Sequence, residues 1–297
     1  MYSFVMTRVV VGNLAMTRVG STNEIRKNSD FMIHQTAIIS EGANIHTTAE
    51  IGPYCIIGKN VQIDKGAKLH SHVCVDGITY IGENTKIFPF ASIGLPPQDL
   101  KYKGEKSELI IGKDNIIREY ATINTGTKLG NMKTVIGNNC LLMIGSHVAH
   151  DCIVGDNVIL ANNATLGGHV VLDNNVIIGG LAAVHQHVRI GKFAIVGGVS
   201  AVVNDVAPFA NVAGDRAKMI GVNIIGMKRN AFSKESIEVV RNIFKEIFYN
   251  TNRSFNERIT YIKQKFKGKE LQDIIDFLSS NEKRAFCMPY REHGTNE

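Results

Sequence analysis

The sequence predicts a mainly β protein, in which a parallel β-helix of six-residue repeats is followed by a small C-terminal α-helical domain. Aliphatic residues recur every six positions through most of the 297 residues, and small residues recur at the fourth position after them. Helical faces repeat about every 3.6 residues and strand faces every two, so neither element alone explains this period. One short strand and one turn per repeat would, and stacked repeats of that kind are typical of a parallel β-helix.

The aliphatic positions of this period form the predicted core of the coil. Starting at Ile39, the six-residue step fails around residues 99 and 105, resumes at Ile111, and slips by one residue between Leu129 and Ile136. The 26 positions are Ile39, Ile45, Ile51, Ile57, Ile63, Leu69, Val75, Ile81, Ile87, Ile93, Ile111, Ile117, Ile123, Leu129, Ile136, Leu142, Val148, Val154, Leu160, Leu166, Leu172, Ile178, Val184, Ile190, Val196 and Val202.

Small residues at the fourth position mark places where a large side chain would not fit. They include Ala43, Ala49, Cys55, Val61, Ala67, Val73, Thr79, Thr85, Ala91, Cys140, Ser146, Cys152, Val158, Ala164 and Val170. We therefore expect Cys55, Cys140 and Cys152 to be small core residues rather than nucleophiles or ligands. The five cysteines are too few and too scattered for a disulfide framework, which favours a reducing cytoplasm.

The pattern divides the chain into three predicted parts. Residues 31–207 form the coil. Residues 208–297 form the helical domain, with Ser233 as a candidate N-cap and a candidate capping box at Ser254–Glu257. Residues 1–30 hold an apolar stretch that is short for a signal peptide and lacks a clear cleavage site, so we expect a disordered extension or a wrongly assigned start.

An inserted loop is predicted where the period fails. Residues 94–110, GLPPQDLKYKGEKSELI, contain two prolines and mixed charge. We expect this segment to leave the coil and return to it. Loops held on rigid scaffolds often carry binding and catalytic residues, so this loop is a candidate part of a functional site.

The net charge of +6 is unevenly distributed. Residues 208–297 contain 16 Lys and Arg against 11 Asp and Glu, so five of the six net positive charges lie there. A basic end suggests an acidic partner, although a solvated helical surface would give the same count. No interleaving of basic and aromatic residues indicates nucleic-acid binding, and no apolar run is long enough to insert stably into a membrane.

A polar stretch, GSHVAHDCIVGDN at residues 145–157, holds the strongest candidates for chemistry. It contains His147 and His150, with Asp151 directly after the second histidine. The residues alone leave three interpretations open: a metal site, a catalytic base with its acidic neighbour, or polar residues on the surface of a repeat. The choice depends on which residues lie beside them on neighbouring turns.

The hexads resemble those of the hexapeptide-repeat acyltransferases, whose coil is left-handed and has three hexads in each turn. The resemblance implies turns of 18 residues, stacked roughly 4.8 Å apart. Gly168 would then lie beside His150, and His169 beside Asp151, with His187 following on the next turn. None of these residues occupies an aliphatic or small position, so we expect them to face outward or to lie near corners.

Longer motifs narrow the resemblance. HVAHDC, LANNATLGGHV, IIGGLAAVHQ and GVNIIGMKR, with ASIGLPPQDLKY in the loop, resemble the UDP-N-acetylglucosamine O-acyltransferases of lipid A biosynthesis. The resemblance extends from residue 31 to the C-terminus and is strongest over residues 88–230. HVAHDC and QDLKY together are specific, whereas many acyltransferases share the hexads.

The resemblance implies a role for each matching residue. His150 matches the general base, Asp151 its acidic partner, and Gly168 the glycine whose N–H faces the oxyanion. The matching substrate-binding positions are Asp99, Lys101, His147, His169, His185, Gln186, Asn223 and Arg229. Gly198 matches the residue that limits acyl length, where glycine leaves room for a longer chain.

The chemistry suits these residue types. An alcohol is a poor nucleophile, so a neutral imidazole must take its proton. The attacked thioester carbonyl becomes an oxyanion, which needs a fixed donor. A glycine one turn above the base lets its N–H approach without a side chain in the way.

The implied reaction is transfer of a 3-hydroxyacyl group from acyl carrier protein to the 3-hydroxyl of UDP-N-acetylglucosamine, the first step of lipid A biosynthesis. The resemblance implies a cytoplasmic homotrimer without a metal or a cofactor of its own, since phosphopantetheine arrives on the acyl carrier protein. Three positions depart from the family pattern: Arg216 replaces histidine, Ile225 replaces glutamate, and Asn230 replaces an arginine. These departures concern nucleotide contacts, not the transfer chemistry.

Other functions fit parts of the sequence. Another hexapeptide-repeat N- or O-acyltransferase would share the hexads, but the QDLKY loop together with HVAHDC argues against it. A zinc site of three histidines, as in the gamma-type carbonic anhydrases, is a second alternative, although the histidine spacings do not match. A non-catalytic β-helix that binds other proteins is the third.

Overall fold

The computed structural model describes residues 32–280 and 284–290. The extension expected at residues 1–30 lies outside the described residues. Short strands occupy the described chain up to residue 222, and helices follow.

The secondary structure is as follows. The strands, in chain order, are β1 Ile38–Ile39, β2 Asn44–Ile45, β3 Glu50–Ile51, β4 Ile56–Ile57, β5 Val61–Ile63, β6 Lys68–Leu69, β7 Cys74–Val75, β8 Ile78–Ile81, β9 Lys86–Ile87, β10 Ser92–Leu95, β11 Glu108–Ile111, β12 Ile116–Ile117, β13 Thr122–Asn124, β14 Lys133–Ile136, β15 Leu141–Leu142, β16 His147–Val148, β17 Ile153–Val154, β18 Ile159–Leu160, β19 Thr165–Leu166, β20 Val171–Leu172, β21 Ile177–Ile178, β22 Ala183–Val184, β23 Arg189–Ile190, β24 Ile195–Val196, β25 Ala201–Val202, β26 Ala210–Ala213 and β27 Lys218–Val222. The helices are α1 Ile224–Arg229, α2 Lys234–Phe244, α3 Phe255–Lys265 and α4 Lys269–Ser279, with a π-helical turn, Lys245–Tyr249, after α2.

Three sheets form the sides of the coil, because each turn supplies one strand to each side. The first sheet contains β1 and every third strand up to β25, and the second contains β2 and every third strand up to β23. The third contains β3 and every third strand up to β24, followed by β26 and β27. Ile38 pairs in parallel with Ile56, so a regular turn takes 18 residues. The predicted fold class, a mainly β coil with helices at its C-terminal end, is confirmed.

The predicted aliphatic positions fill the interior of the coil. Every one is at most 3% exposed, apart from Ile39 and Ile45, which are half-buried near the N-terminal end, and Leu129. Burying one such side chain contributes roughly 1.5–3 kcal/mol, so the stacked rows hold the turns together. Burial raises the pKa of the Cys140 thiol to about 11 and that of Cys152 to about 12, as expected for inert core residues.

Two insertions interrupt the regular turns. Ile93 pairs with Ile123, 30 positions further on, so that turn holds 12 residues more than a regular one. Ile123 in turn pairs with Val148, 25 positions further on, which adds seven residues. We name residues 96–107 the outer loop and residues 125–132 the support loop.

The support loop corrects one core prediction. Leu129 continues the six-residue step in the sequence, but its side chain is 69% exposed. The step and the slip that follows it are not a further side of the coil. They belong to a loop between β13 and β14, and Leu129 lies on the surface of that loop.

The end of the coil also differs from the prediction. Strand β26 pairs in parallel with β24, so one further strand of the coil follows the predicted boundary at residue 207. Strand β27 then turns back antiparallel to β26, and the first helix starts at Ile224.

The helical caps follow the sequence. Ser233 accepts a hydrogen bond from the Ser236 N–H at the start of α2. Ser254 and Glu257 form the predicted capping box at the start of α3. Helix α2 buries Ile237, Val240, Ile243 and Phe244 along one face. None of the helices in the described ranges is long and apolar enough to cross a membrane.

Candidate active site

The candidate site lies at the corner between the first and second sheets, where the chain passes from β16 to β17. His150 lies in this corner, and Asp151 after it adopts a left-handed conformation with φ 59°. His169 takes the same conformation one turn later, with φ 61°. Asp, Asn and His tolerate this backbone region better than most residues, so the corner can turn sharply while carrying polar side chains.

Stacking of successive turns brings the predicted residues together. The His169 N–H donates to the carbonyl of His150 at 2.9 Å, and the His187 N–H donates to the carbonyl of Gly168 at 3.0 Å. A β carbon on residue 168 would lie 2.5 Å from Cε1 of His150. The predicted adjacency of His150 and Gly168 is therefore confirmed.

Asp151 lies near a corner, as expected, but its side chain does not face outward. Asp151 is only 1% exposed, because the support loop covers its carboxylate. The Thr127 hydroxyl donates to Oδ2 at 2.6 Å, the Thr127 N–H donates to both oxygens at 3.0 and 3.1 Å, and the Asn131 N–H donates to Oδ1 at 2.9 Å. Hydrogen bonds from the protein thus replace the water that an exposed carboxylate would bind.

These donors decide the charge of Asp151. Burial raises its pKa, but the hydrogen bonds from Thr127 and His150 outweigh burial and hold the pKa below its ordinary value. An ionised carboxylate only accepts hydrogen bonds. Nδ1 of His150, 2.9 Å from Oδ2, therefore donates to this oxygen, so that in the neutral form of the ring Nε2 keeps a free lone pair. The His150 side chain is 15% exposed, so a substrate can reach it.

The neighbouring histidines are held neutral. Burial lowers the pKa of His147, whose Nδ1 lies 2.7 Å from the Thr122 hydroxyl. Burial also lowers the pKa values of His169 and His187, whose rings stack with centroids 4.3 Å apart. The surroundings of these three histidines therefore favour their uncharged forms, beside the buried anion of Asp151.

Gly168 presents a free donor at the same place. Within residues 32–280 and 284–290, its N–H donates to no acceptor. A side chain on residue 168 would collide with the His150 ring. The N–H can therefore serve an oxyanion that forms next to the imidazole.

The outer loop faces this corner. The Lys101 N–H donates to the Asp99 carboxylate at 2.9 Å, which folds the loop tip around these two residues. The Asp99 carboxylate acts on His169, whose pKa it raises against the larger effect of burial. Leu100, between them, is 98% exposed. Asp99 is half-buried and Lys101 is exposed, so a ligand can reach both side chains at the loop tip.

His185 and Gln186 lie one turn above Gly168. Both are exposed, and Nδ1 of His185 lies 3.1 Å from the carbonyl oxygen of Gln186. They lie beside the corner, and their contact with substrate stays a prediction.

Three predicted site residues are not brought to this corner. Asn223 is buried as the N-cap of α1, where its side chain accepts from the Gly226 N–H and donates to the Phe193 carbonyl. Arg229 is exposed in the last turn of α1. Gly198 lies at the corner between the third and first sheets, between β24 and β25. Within one chain they belong to other surfaces.

Sequence reasoning missed the residues that bury Asp151. Thr127 and Asn131 belong to the support loop, and the only signal for them was the one-residue slip of the period between Leu129 and Ile136. His187 was visible as a neighbour of His169, but the family resemblance assigned it no role.

A metal ion is the alternative use of this corner. Among the described residues, His150, Asp151 and His169 can each offer a ligand atom within 4.8 Å of the others. An ion there would compete with the hydrogen bonds that Asp151 already accepts, and it would occupy the imidazole lone pair. The donor arrangement suits proton transfer better than ligation.

The fold and the corner define a class of protein: an acyltransferase built of hexapeptide repeats. A family model described as UDP-N-acetylglucosamine O-acyltransferase, domain 2, matches residues 205–287. A model of the bacterial transferase hexapeptide, covering six repeats, matches residues 133–168. Longer matches extend over most of the chain.

Two curated relatives carry the name acyl-[acyl-carrier-protein]--UDP-N-acetylglucosamine O-acyltransferase. The protein of Rickettsia canadensis is 56% identical over 87% of this chain and 98% of its own length. That of Azorhizobium caulinodans is 49% identical over 88% of this chain and 96% of its own. The chain belongs to the UDP-N-acetylglucosamine O-acyltransferase family.

Solved structures agree. The structure of LpxA from Acinetobacter baumannii superposes with a TM-score of 0.83 at 43% identity, covering 86% of this chain and 100% of that one. The UDP-N-acetylglucosamine O-acyltransferase of Moraxella catarrhalis gives a TM-score of 0.84 at 43% identity with the same coverage.

Proposed function

We propose that this protein transfers a 3-hydroxyacyl group from acyl carrier protein to the 3-hydroxyl of UDP-N-acetylglucosamine, the first step of lipid A biosynthesis. The observation that carries the proposal is the pairing of His150 Nδ1 with the buried carboxylate of Asp151, next to the free N–H of Gly168. The names of the relatives, which specify an acyl carrier protein and UDP-N-acetylglucosamine, support the same substrates.

The first step is proton transfer coupled to attack. Nε2 of His150 takes the proton of the sugar hydroxyl as its oxygen bonds to the thioester carbonyl carbon. The imidazole becomes a cation, and the Asp151 carboxylate at 2.9 Å stabilises that charge. Because the carboxylate is already ionised and fixed, little reorganisation is needed when the charge develops.

The second step expels the thiol. The Gly168 N–H donates to the oxyanion of the tetrahedral intermediate, and loss of one such donor typically costs about 10²–10³ in rate. Collapse of the intermediate breaks the carbon–sulfur bond. The imidazolium returns its proton to the departing thiolate, so the products are the acylated sugar nucleotide and the free phosphopantetheine thiol on the carrier.

The acyl donor would reach the site on its protein carrier. The phosphopantetheine arm belongs to the acyl carrier protein, so the enzyme itself supplies no prosthetic group. The basic C-terminal segment, with Lys228 and Arg229 exposed in the last turn of α1, offers a surface for an acidic carrier. We also propose a cytoplasmic location, where the five cysteines would stay reduced.

We further propose a homotrimer. Asn223, Arg229 and Gly198 lie away from the His150 corner of their own chain, so only another copy could bring them to it. An apolar ridge supports an interface: Tyr120 is 59% exposed and stacks on Phe90, which is 48% exposed. Exposed apolar patches often mark association surfaces. Mixing His150→Ala chains with Arg229→Glu chains should give more activity than the two separate trimers give together, which would demonstrate shared sites.

The function is tested with purified protein, UDP-N-acetylglucosamine and a panel of acyl carrier protein thioesters. Wild type should form the 3-O-acyl product, and His150→Ala should lose at least about 10²-fold in kcat. His46→Ala, at an exposed histidine remote from this corner, is the matched control. Transfer by no thioester would refute the activity, and a His150→Ala variant within tenfold of wild type would remove His150 as the base.

A further inference from the structure

Within the support loop, Thr127 makes more hydrogen bonds to the Asp151 carboxylate than any other residue does. Thr127 is 2% exposed and donates to Asp151 from both its hydroxyl and its backbone N–H. The hydroxyl bond, at 2.6 Å, ends on Oδ2, the same oxygen that faces Nδ1 of His150. The side chain of Thr127 and the imidazole of His150 are therefore connected through a single atom.

The loop also fits against the carboxylate by shape. A β carbon on residue 130 would overlap the Asp151 side chain, so Gly130 lets the loop backbone close onto it. From the other side, the Thr134 hydroxyl accepts the Asp151 N–H at 2.8 Å. The carboxylate can move little without moving the loop.

The support loop is in turn attached to the outer loop. Glu105 accepts hydrogen bonds from the Lys103 N–H at 2.6 Å, within the outer loop, and from the Lys128 N–H at 3.2 Å, next to Thr127. The Ser107 hydroxyl donates to the Thr125 hydroxyl at 3.0 Å. Residues of both loops, Glu105 and Thr125 among them, line a cavity of about 480 Å³ together with residues of the coil.

We propose that Thr127 is a positioning residue for the His150–Asp151 pair, and that Glu105 connects it to the loop that carries Asp99 and Lys101. The inference rests on the proposed role of His150 as the base. Sugar nucleotide bound at Asp99 and Lys101 would restrict the motion of the outer loop. Through the hydrogen bond between Glu105 and the Lys128 N–H, it would then restrict the motion of Thr127 as well. The base would then be aligned most firmly when the acceptor is present.

The physical reason is the sharing of Oδ2. With the Thr127 hydroxyl in place, that oxygen accepts from two directions and its position relative to Nδ1 is fixed. Without the hydroxyl, the carboxylate keeps the backbone donors of Thr127 and Asn131 but can rotate, and small displacements of catalytic groups cost up to about 10² in rate. The cations that can face Asp151 are the protonated forms of His150 and His169, so its freed charge would act on them.

The test compares Thr127→Val, which removes the hydroxyl at nearly constant volume, with Thr127→Ser, which keeps it. In the full-length protein, Thr127→Val should lower kcat about 10- to 100-fold with KM for the acyl thioester little changed. The acid limb of its kcat/KM profile should move to higher pH. Thr127→Ser should recover most of the activity and the wild-type pH profile.

Thr85→Val is the matched control. Thr85 is fully buried in the coil, and its hydroxyl donates to the Gly112 carbonyl, away from this corner. It should lose stability as Thr127→Val does, but keep the wild-type kcat and pH profile. A Thr127→Val enzyme that is folded and has both wild-type values would overturn the proposal.

A second variant guards against loss of folding in the first. Gly130→Ala pushes on the carboxylate from the loop backbone and should lower kcat while Thr127 stays intact. Glu105→Ala should lower kcat less than Thr127→Val does, and it should remove the dependence of support-loop hydrogen exchange on UDP-N-acetylglucosamine. If UDP-N-acetylglucosamine still changes hydrogen exchange in the support loop of Glu105→Ala, Glu105 does not connect the two loops. Loss of activity in His150→Ala tests the base itself, independently of either loop.

Discussion

The imidazole of His150 occupies the space that a side chain on residue 168 would need. A β carbon placed on Gly168 would lie 2.5 Å from Cε1 and 2.7 Å from Nε2 of His150, inside any real contact distance. The glycine therefore does two things at once. It makes room for the base on the turn below, and it leaves its own N–H free beside the reacting atoms.

This contact predicts the effect of Gly168→Ala. The added methyl must push the imidazole away, which breaks its alignment with Asp151, so kcat should fall by at least about 10²-fold. The coil should still fold, because the ring can move toward solvent. Gly180→Ala, at another corner of the coil, is the control and should stay active. Wild-type kcat in Gly168→Ala would show that the ring and the N–H do not act together.

Much of the fold could be predicted because it depends on a local, repeated rule. In the regular turns, each aliphatic residue of the period lies beside the residues 18 positions before and after it, so one short pattern predicted the core of the coil. Leu129 obeyed the pattern and was still misplaced. A single slip in the period does not say whether the coil continues or a loop leaves it.

Of the site, only the neighbours on successive stacked turns could be predicted. Turns of 18 residues, which the family resemblance implied, placed Gly168 beside His150, as the structure has it. The burial of Asp151 could not be predicted in this way, because it depends on where the support loop returns and on which donors of Thr127 and Asn131 meet the carboxylate. The contacts proposed for Arg229 and Gly198 would need a second chain, so the repeat of one chain could not predict them.

The neutral histidines predict how stability depends on pH. The folded pKa values of His147, His169 and His187 lie below their ordinary values, mainly because of burial. An unfolded histidine has a pKa of about 6.5, so below that pH the unfolded chain binds more protons than the folded one. Stability should therefore fall as the pH falls from about 6.5 toward the folded pKa values.

His187→Phe isolates one part of this effect. Phenylalanine can keep the stacking with His169 but cannot be protonated, so the variant should lose less Tm than wild type between pH 7.5 and 5.5. Differential scanning calorimetry at several pH values measures the difference. His46→Gln, at an exposed histidine, is the control. Equal slopes for His187→Phe and wild type would contradict the assignment.

The basic C-terminal segment predicts a salt-dependent encounter with acyl carrier protein. Attraction between exposed charges is screened over about 10 Å at 0.1 M salt and about 3 Å at 1 M. The KM for the acyl carrier should therefore rise steeply with ionic strength. Lys228→Glu or Arg229→Glu should raise it further, by roughly tenfold for a loss of about 1.4 kcal/mol.

Lys86→Glu provides the matched control for this charge reversal. Lys86 is exposed in β9, far along the chain from the helical segment, and reversing it changes net charge by the same amount. Its KM should stay near that of wild type. A KM for the carrier that does not respond to salt would argue against docking by charge.

The structure also shapes the prediction for acyl length. Gly198 is exposed at the corner between the third and first sheets, and a β carbon on it would lie 3.2 Å from its nearest neighbour, the carbonyl oxygen of Gly180. The backbone there is not left-handed. A side chain at this position would therefore point outward with little strain, into space that a neighbouring copy or a bound acyl chain could share.

We expect wild type to prefer a longer 3-hydroxyacyl chain, and Gly198→Met to shift the optimum to shorter ones, because the new side chain fills space that the terminal methylenes need. Each methylene that loses its burial costs about 0.8 kcal/mol, so the longest substrates should lose roughly fourfold in kcat/KM per displaced methylene. Gly198→Ala should shift the optimum less. The measurement is kcat/KM across thioesters of graded length for the three proteins. If Gly198→Met keeps its activity and its optimal acyl length does not change, the acyl chain ends elsewhere, and this corner does not limit its length.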